Sequence, residues 1–479
     1  MKTFPTAIRP GYWALLMVFL LALLLFQMGG RGLNEPDEGR YAEIAREALE
    51  PGHSWLEPRM ADLGHYDKPP LIYGVTALSF RLFGLNEWAA RVPSLLGALL
   101  TLAGLGWAAA RLYGTRVAFL AVLISGTLLH LWALGRMLAP DMFLCGWCTL
   151  AMAAWVETRF RSAPWRWWFL QVIFWTLALW TKATPALIPL LGLTLYVYFA
   201  GDAVGRRALK LPVLLPVILF LACPWFLDVV HRHPELKNFF LHRELAARVT
   251  GHIEGRHGAI YYYFLTSMIV WLPWWPLALA ALIRGRKKNH PASWKSLELF
   301  VLLTGFILFS LIPSKLHTYT LPLAPWAALG MARIILADAA LSAVPVLGGV
   351  VGITALIYAA MGFLVPRHES KLGPNSSLRE VAEFLREHGA KGLHADRLSP
   401  SLGFYWPGDF HFTGVVPPFE IREDTGEAAK HFEASVSVQK GDWFIHYRRQ
   451  VGNPFRKWLD DPKVPKKIIG DFVVGPLGP

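Results

Sequence analysis

The sequence predicts an all-α polytopic membrane protein of roughly eleven or more transmembrane helices, followed by a small soluble C-terminal α/β domain. Three observations carry that reading. Hydrophobic residues make up 54% of the 479 and charged residues only 17%, whereas an average soluble domain is about 25% charged. Apolar runs long enough to cross a bilayer, about 17 to 25 residues, recur from Trp13 to Leu364. From Arg367 to Pro479 the hydropathy drops and turn residues accumulate. The expected domains are therefore a membrane domain over 1–366, with a large first extracytoplasmic loop at about 30–90, and a soluble extracytoplasmic domain over 367–479.

Each element follows in order. The run Trp13 to Met28 comes after Lys2 and Arg9, like a secretory signal. Gln27-Met28-Gly29-Gly30-Arg31 is a poor cleavage site and many spans follow, so it reads as a retained first span. Pro69 to Gly84 is short for a span and contains Arg81, which predicts a helix lying on or dipping into the membrane. Further spans fall at about 91–110, 117–134, 141–158, 166–181, 185–200, 211–229, 262–282, 297–313, 319–337 and 344–365.

Charge parity supports leaving 69–84 out of the count. The clusters Arg111/Arg116, Arg159/Arg161/Arg166, Arg206/Arg207/Lys210 and Arg284/Arg286/Lys287/Lys288 then share the N-terminal side, which the positive-inside rule makes cytoplasmic. The opposite face receives the loop at 30–90, the turn Arg136 to Asp141, the turn near Lys182, the loop at 230–261, the turn Pro313 to Tyr319 and the tail. In the tail, Asn375-Ser376-Ser377 offers helix caps before Leu378, Val381, Ala382 and Leu385, with a stop at Gly389. Asp442–Tyr447 and Lys467–Val474 read as strands.

The balance of 47 basic and 34 acidic residues gives +13. Loop anchors account for it, and no nucleic-acid partner is implied. Cys145, Cys148 and Cys223 all lie in apolar stretches and make no disulfide framework. Cys145-Gly-Trp-Cys148 has redox spacing without the strand and helix that redox chemistry uses.

The chemistry-bearing residues collect in the outer loops. In Asn34-Glu35-Pro36-Asp37-Glu38-Gly39-Arg40-Tyr41-Ala42-Glu43-Ile44, Asn34 or Glu35 can cap a helix, and Pro36 suits its first turn. Asp37 and Glu38 then sit where the helix dipole favours anions. Spacing leaves two roles open for Asp37, helix complement or ionised group facing a cavity. Tyr66-Asp67-Lys68-Pro69-Pro70 sets an acid beside a base. Lys68 fits a phosphate oxygen, or snorkels to the interface. Asp141 starts a span, as a cap or as a second carboxylate. Lys182 is a lone cation between apolar helices, which defaults to function.

The loop at 230–261 holds His231, His233, His242, His252 and His257 among Arg243, Arg248 and Arg256. Their spacing gives no metalloprotease-like cage, although one histidine joined to Asp67 would hold a divalent ion. Ser314-Lys315-Leu316-His317-Thr318-Tyr319 is a polar turn between spans, with Lys315 and Tyr319 spaced for one helical face. Two carboxylates and several cations on one membrane face suit a lipid-linked phosphate and transfer of the group it carries.

The run Pro36-Asp37-Glu38-Gly39-Arg40-Tyr41-Ala42-Glu43, then Tyr66-Asp67-Lys68-Pro69-Pro70, Arg91-Val92-Pro93, Asp141, Thr181-Lys182, Tyr261-Tyr262-Tyr263 and Ser314 to Tyr319 resembles bacterial GT-C glycosyltransferases. The resemblance is to the lipid A aminoarabinose transferases of the protein mannosyltransferase superfamily, over about residues 10 to 340. It departs at Asp67, where those enzymes usually carry Glu, and in a shorter tail.

The resemblance implies a multi-pass bacterial inner-membrane enzyme with its active face periplasmic. It would take a sugar from a polyprenyl phosphate and pass it, with inversion, to a glycolipid or glycan acceptor, a lipid A-like one favoured. Asp37 and Asp141 are then the catalytic carboxylates, and Lys68, Arg256, Lys315, Tyr319 and Lys182 the phosphate-binding group. Glu38, Arg40, Tyr41 and Tyr66 support them. Asp67 and His257 are the candidate pair for Mg²⁺, Mn²⁺ or Zn²⁺. A lipid or sugar transporter would show related halves or helices broken at the midplane, and the sequence has no internal repeat. A non-catalytic envelope assembly or sensor protein would explain the tail but not the acid and base pairs in the first loop.

Overall fold

The structure is a computed structural model. It describes residues 8–60, 63–160, 164–234, 236–240, 258–285, 296–368, 378–395, 400–406, 409–412, 442–447, 462, 464–469 and 472–476. The chain divides into two compact units. One comprises Met1–Phe26, Lys68–Ile72 and Arg91–Ala360; the other comprises Gln27–Asp67, Tyr73–Ala90 and Met361–Pro479.

In chain order the N-terminal half carries α1 (Pro10–Leu25), α2 (Asp37–Glu47), the short hairpin β1 (Arg59–Met60) and β2 (Leu63–Gly64), α3 (Leu71–Phe83) and α4 (Glu87–Tyr113). Then come α5 (Thr115–Thr127), α6 (Leu129–Leu134), α7 (Pro140–Phe160), α8 (Pro164–Thr181), α9 (Ala183–Phe199), α10 (Ala203–Leu209) and α11 (Leu211–Arg232). After 257 the described helices are α12 (Tyr262–Val270), α13 (Trp274–Gly285), α14 (Leu297–Leu311), a 3₁₀ turn His317–Leu323, α15 (Ala324–Leu336) and α16 (Val344–Arg367).

Among the described residues, four stretches are long and apolar enough to cross a membrane on their own: Glu87–Tyr113, Ala203–Arg232, His317–Leu336 and Val344–Arg367. α12 and α13 qualify only as a pair, bent by 103°. α1, α3, α5, α9 and α14 are shorter apolar helices. The first unit leaves Phe220, Leu227, Ile353 and Leu356 exposed on its helices. Apolar surface of that extent suits a hydrocarbon solvent rather than water.

Close backbone approach organises the core of this unit. A Cβ on Gly97 of α4 would stand 2.5 Å from the Met142 carbonyl oxygen, and one on Gly146 of α7 would stand 2.8 Å from the Gly97 carbonyl oxygen. Only hydrogen fits at that crossing, the small-residue device by which membrane helices pack. Cys145 and Cys148 lie buried and free within α7.

α3 spans 13 residues, about 20 Å of helix, and is one of the shorter apolar helices. It buries Tyr73 and Phe80 while exposing Leu78 and Leu82.

The second unit gathers α2, most of α3 and the tail. The tail folds as α17 (Leu378–Glu387), β3 (Gly392–Ala395), α18 (Pro400–Tyr405), β4 (Asp409–Phe412), β5 (Asp442–Tyr447), β6 (Lys467–Ile469) and β7 (Phe472–Pro476). The sheet runs β4-β3-β5-β7-β6. β3 pairs parallel with β4 and β5, while β7 pairs antiparallel with β5 and β6. Leu385, Leu393, Leu402, Ile445, Phe472 and Val474 form its core.

α17 and its stop follow the sequence expectation, with Gly389 at φ +66, the left-handed position that glycine adopts most easily. The caps proposed at Asn375 to Ser377 lie outside the described residues. Lys467–Val474, read as one strand, is two: Ile469 pairs with Phe472 across Gly470-Asp471, a dipeptide suited to a two-residue hairpin. Short β3 and β4, four residues each, carry too little alternation to be seen in sequence.

Candidate active site

In the second unit α2 begins at Asp37, with Pro36 at the cap position and no side-chain cap. Neither Asn34 nor Glu35 caps the helix, and Pro36 stands one position before its first turn. The Glu35 carboxylate instead accepts the Ser401 backbone N–H. Glu38, fully buried, accepts from Arg31 at 2.8 Å and from the Asn34 backbone N–H at 3.1 Å. This reach back to the residues before the helix satisfies an orphan donor there, half of a capping box.

Asp37 is the first residue of α2, in the turn where the helix dipole favours an anion. Its side chain is 50% exposed and accepts from Arg40 at 2.6 Å. Burial alone would lower the Arg40 pKa, but attraction from Tyr41, Asp67 and Asp37 overrides it and holds Arg40 above its ordinary value. Burial raises the Tyr41 phenol. Its ring lies 5.8 Å from that of Tyr73 and under the Arg40 guanidinium at 5.6 Å. Asp37, Arg40, Tyr41, Tyr73 and Asp67 therefore share one electrostatic neighbourhood. Tyr66, buried, donates to Glu57 at 3.4 Å. Lys68 is half-buried in the turn that leads into α3.

In the first unit, Pro140 starts α7 with its fixed φ and Asp141 follows in the first turn, the helix end that favours an anion. α8 stops at Thr181 because Pro185 would strike the Thr181 carbonyl and supply no N–H in a continuing helix. The break leaves Lys182 extended, at φ −160. Its ammonium donates to Asp141 at 2.8 Å and sits 5.0 Å from the centre of the buried Tyr319 ring. The two candidates are thus partners rather than separate charges.

Lys315 and Tyr319 do not share a helical face. Pro313 ends α14 in an extended Ile312, and the 3₁₀ turn starts only at His317. Lys315 turns back to donate to the Phe309, Ser310 and Ile312 carbonyls at 2.8, 2.7 and 2.6 Å. Burial lowers its pKa. Its ammonium also lies 5.3 Å from the Tyr263 ring, whose hydroxyl accepts the Leu316 N–H at 3.3 Å.

Arg256 and His257 lie outside the described residues, as do His242 and His252. Among the described residues no three His, Cys, Asp or Glu side chains converge on a point suited to a metal ion. Asp67 lies in the field of Arg40, and its candidate partner for a divalent ion, His257, is not among the described residues. Sequence reasoning missed Tyr73 as a neighbour of Tyr41 and Tyr263 as the partner of Lys315. Both are aromatics in apolar stretches, where no local signal separates a site from a core. It also missed the Glu298 carboxylate, which binds Arg333 and accepts from Tyr113 at 3.1 Å.

The family model for dolichyl-phosphate-mannose-protein mannosyltransferase matches residues 67–227. The undecaprenyl phosphate-α-4-amino-4-deoxy-L-arabinose arabinosyl transferase 2 of Proteus mirabilis is 28% identical, with 64% of this chain and 56% of that protein covered. The corresponding transferase of Yersinia pestis is 29% identical with the same coverage. The chain therefore spans just over half the length of these curated relatives. ArnT from Cupriavidus metallidurans, solved bound to undecaprenyl phosphate, superposes with a TM-score of 0.76 at 22% identity, covering 98% of both chains. The chain has the GT-C fold and resembles the lipid A aminoarabinose transferases.

Proposed function

We propose that this protein is an inverting glycosyltransferase that moves a sugar from a polyprenyl-phosphate donor to an envelope acceptor, a lipid A-like glycolipid favoured. The observation that carries the reading is the Lys182–Asp141 ion pair beneath Tyr319, buried at a helix break in a bundle with the ArnT fold. Ionisable side chains buried inside a membrane bundle are rare, pair with one another and mark functional sites. The relatives named for undecaprenyl phosphate-aminoarabinose make that lipid the first donor to test.

In the proposed reaction the bond between the anomeric carbon and the phosphate oxygen breaks as an acceptor oxygen attacks from the opposite face. Positive charge spreads over the sugar ring, and negative charge grows on the departing phosphate. Lys68, Arg256 and Lys182, with Tyr319, bind that phosphate by charge-assisted hydrogen bonds, and Lys315, whose three N–H groups are taken by carbonyls, adds its positive charge. Asp37 takes the proton of an acceptor hydroxyl, or orients an acceptor that is already an anionic phosphate. Asp141 holds the Lys182 ammonium in place, Arg40 orients Asp37, and Glu38, Tyr41 and Tyr66 support the first loop. A divalent ion held through Asp67 and His257 would polarise phosphate oxygens.

The proposal extends to setting. The helices that fall short of a full span complete a count of about eleven crossings. The N-terminus is cytoplasmic, and the active face and the soluble domain 367–479 are periplasmic in the bacterial inner membrane. Reporter fusions at Lys288 and Lys440, both outside the described residues, should give opposite signals; like signals would overturn the sidedness.

Among the described residues, the bend between α12 and α13 is a feature that favours a transporter. Its break at Trp271-Leu272-Pro273 bears no charge, and the Leu272 carbonyl is taken by the Leu129 N–H. Mass spectrometry of envelope lipids and glycans, with and without the protein, tests the reading. A new glycoform is expected; movement of lipid with no new linkage would favour transport.

A further inference from the structure

Resting on the assignment of Asp37 to the transfer, we infer that Tyr405, in the tail, is a positioning residue for Asp37. α18 and α2 approach as closely as two glycines permit. A Cβ on Gly39 would stand 2.7 Å from the Ser401 backbone nitrogen, and one on Gly403 would stand 2.3 Å from Glu43 Oε1. A side chain at Gly39 would press on the Ser401 backbone and force the helices apart, while one at Gly403 would displace the Glu43 carboxylate.

At the end of α18 the Tyr405 hydroxyl is shared between two partners. It accepts the Leu33 backbone N–H at 2.8 Å and donates to the Glu87 carboxylate at 3.2 Å. Glu87 also pairs with Arg379 of α17 at 3.2 Å. At the start of α18, the Ser401 N–H binds the Glu35 carboxylate. Leu33, Asn34 and Glu35 lead straight into α2, whose first residue is Asp37.

The need for this clasp follows from the helix itself. α2 lacks a side-chain N-cap, so its start is held by bonds to the residues that precede it. Glu38 ties Arg31 and Asn34 from within the loop. Tyr405 ties Leu33 from the tail and anchors it to the first residue of α4. A phenol held at both ends fixes the direction in which α2 begins, and with it the Asp37 carboxylate. Tyr405 touches no reacting atom; it acts through the Leu33 backbone.

The test uses the full chain in detergent. Tyr405→Phe removes the hydroxyl and keeps the ring beside Phe404. Small misplacements of a reacting group cost up to about a hundredfold, so kcat should fall between about tenfold and a hundredfold. KM for the donor and undecaprenyl phosphate binding should stay within about twofold. Amide exchange over residues 33–41 should quicken. In an Asp37→Asn background, Tyr405→Phe should cause no further loss, because two residues acting through one group do not add.

Glu87→Gln keeps an acceptor for the hydroxyl while breaking the Arg379 pair, and should leave kcat near normal. The inference is overturned if Tyr405→Phe leaves kcat unchanged, if its loss is matched by lost donor binding and lost thermal stability, or if Glu87→Gln reproduces it. If Asp37→Asn itself retains turnover, the assignment of Asp37 fails. An inactive Asp37→Asn with a normal Tyr405→Phe sinks only the positioning role.

Discussion

The Lys182 ammonium lies 2.8 Å from an Asp141 carboxylate oxygen, and each side chain is only 9% exposed. The pair joins the first turn of α7 to the break between α8 and α9, two places that the sequence marks with prolines. Pro140 begins one helix and Pro185 forbids the other from running on, so the charge pair sits where two helix ends meet.

Removing either partner leaves the other charge buried, at a cost of about 3 to 5 kcal/mol. Asp141→Asn and Lys182→Met should each lower the melting temperature in detergent. The double replacement Asp141→Leu with Lys182→Met should regain most of that stability while transferring no sugar. Turnover in the stable double variant would make the pair a structural tie alone.

Asp37→Asn should separate chemistry from fold. With no side-chain cap at α2, the substitution sacrifices the charge of a half-exposed Asp37 beside a largely buried Arg40, while Asn keeps an acceptor for the guanidinium. Turnover should drop by roughly a hundredfold or more in a folded protein that still binds donor lipid. Near-normal turnover would shift the search to Glu38 or Asp141.

Lys68→Ala and Lys315→Ala should both weaken binding of the polyprenyl-phosphate sugar, with charge-assisted contacts worth about 1.5 to 3 kcal/mol each. Lys315 closes three carbonyls around the end of α14, so its loss should also lower the melting temperature. Donor titration of both variants decides; unchanged affinity in both would leave them as anchors.

Chelation tests the proposed ion. If Asp67 and His257 share a divalent metal, chelator should abolish turnover and added Mg²⁺, Mn²⁺ or Zn²⁺ should restore it, with Asp67→Asn lowering the metal content of purified protein. Full turnover in metal-free protein would remove the ion from the reaction.

The membrane character was legible because long apolar runs have no other stable solution in a chain this size. Among the candidate site residues, Asp141 and Lys182 were legible as charges in apolar surroundings, and Asp37 and Lys68 as members of charged motifs in the first loop. What stayed hidden was pairing. Nothing local tells Lys182 that its partner lies 41 positions earlier, or Lys315 that carbonyls behind it offer a better geometry than Tyr319 ahead. The tail offered least, since short strands and a hydroxyl clasp from Tyr405 to Leu33 depend on contacts 372 positions apart.

That separation sets a timetable for biogenesis. The ribosome delivers α2 long before Ser401, its partner 366 positions from Glu35. At about 5 to 20 residues per second this leaves an interval of roughly 20 to 70 s. Throughout it the helix bundle is being threaded into the membrane while the first loop has nothing to close against. A chain stopped short of α18 would insert all its spans and still present an unfastened loop, a defect that quality-control proteases could read from the buried face of α2 left open.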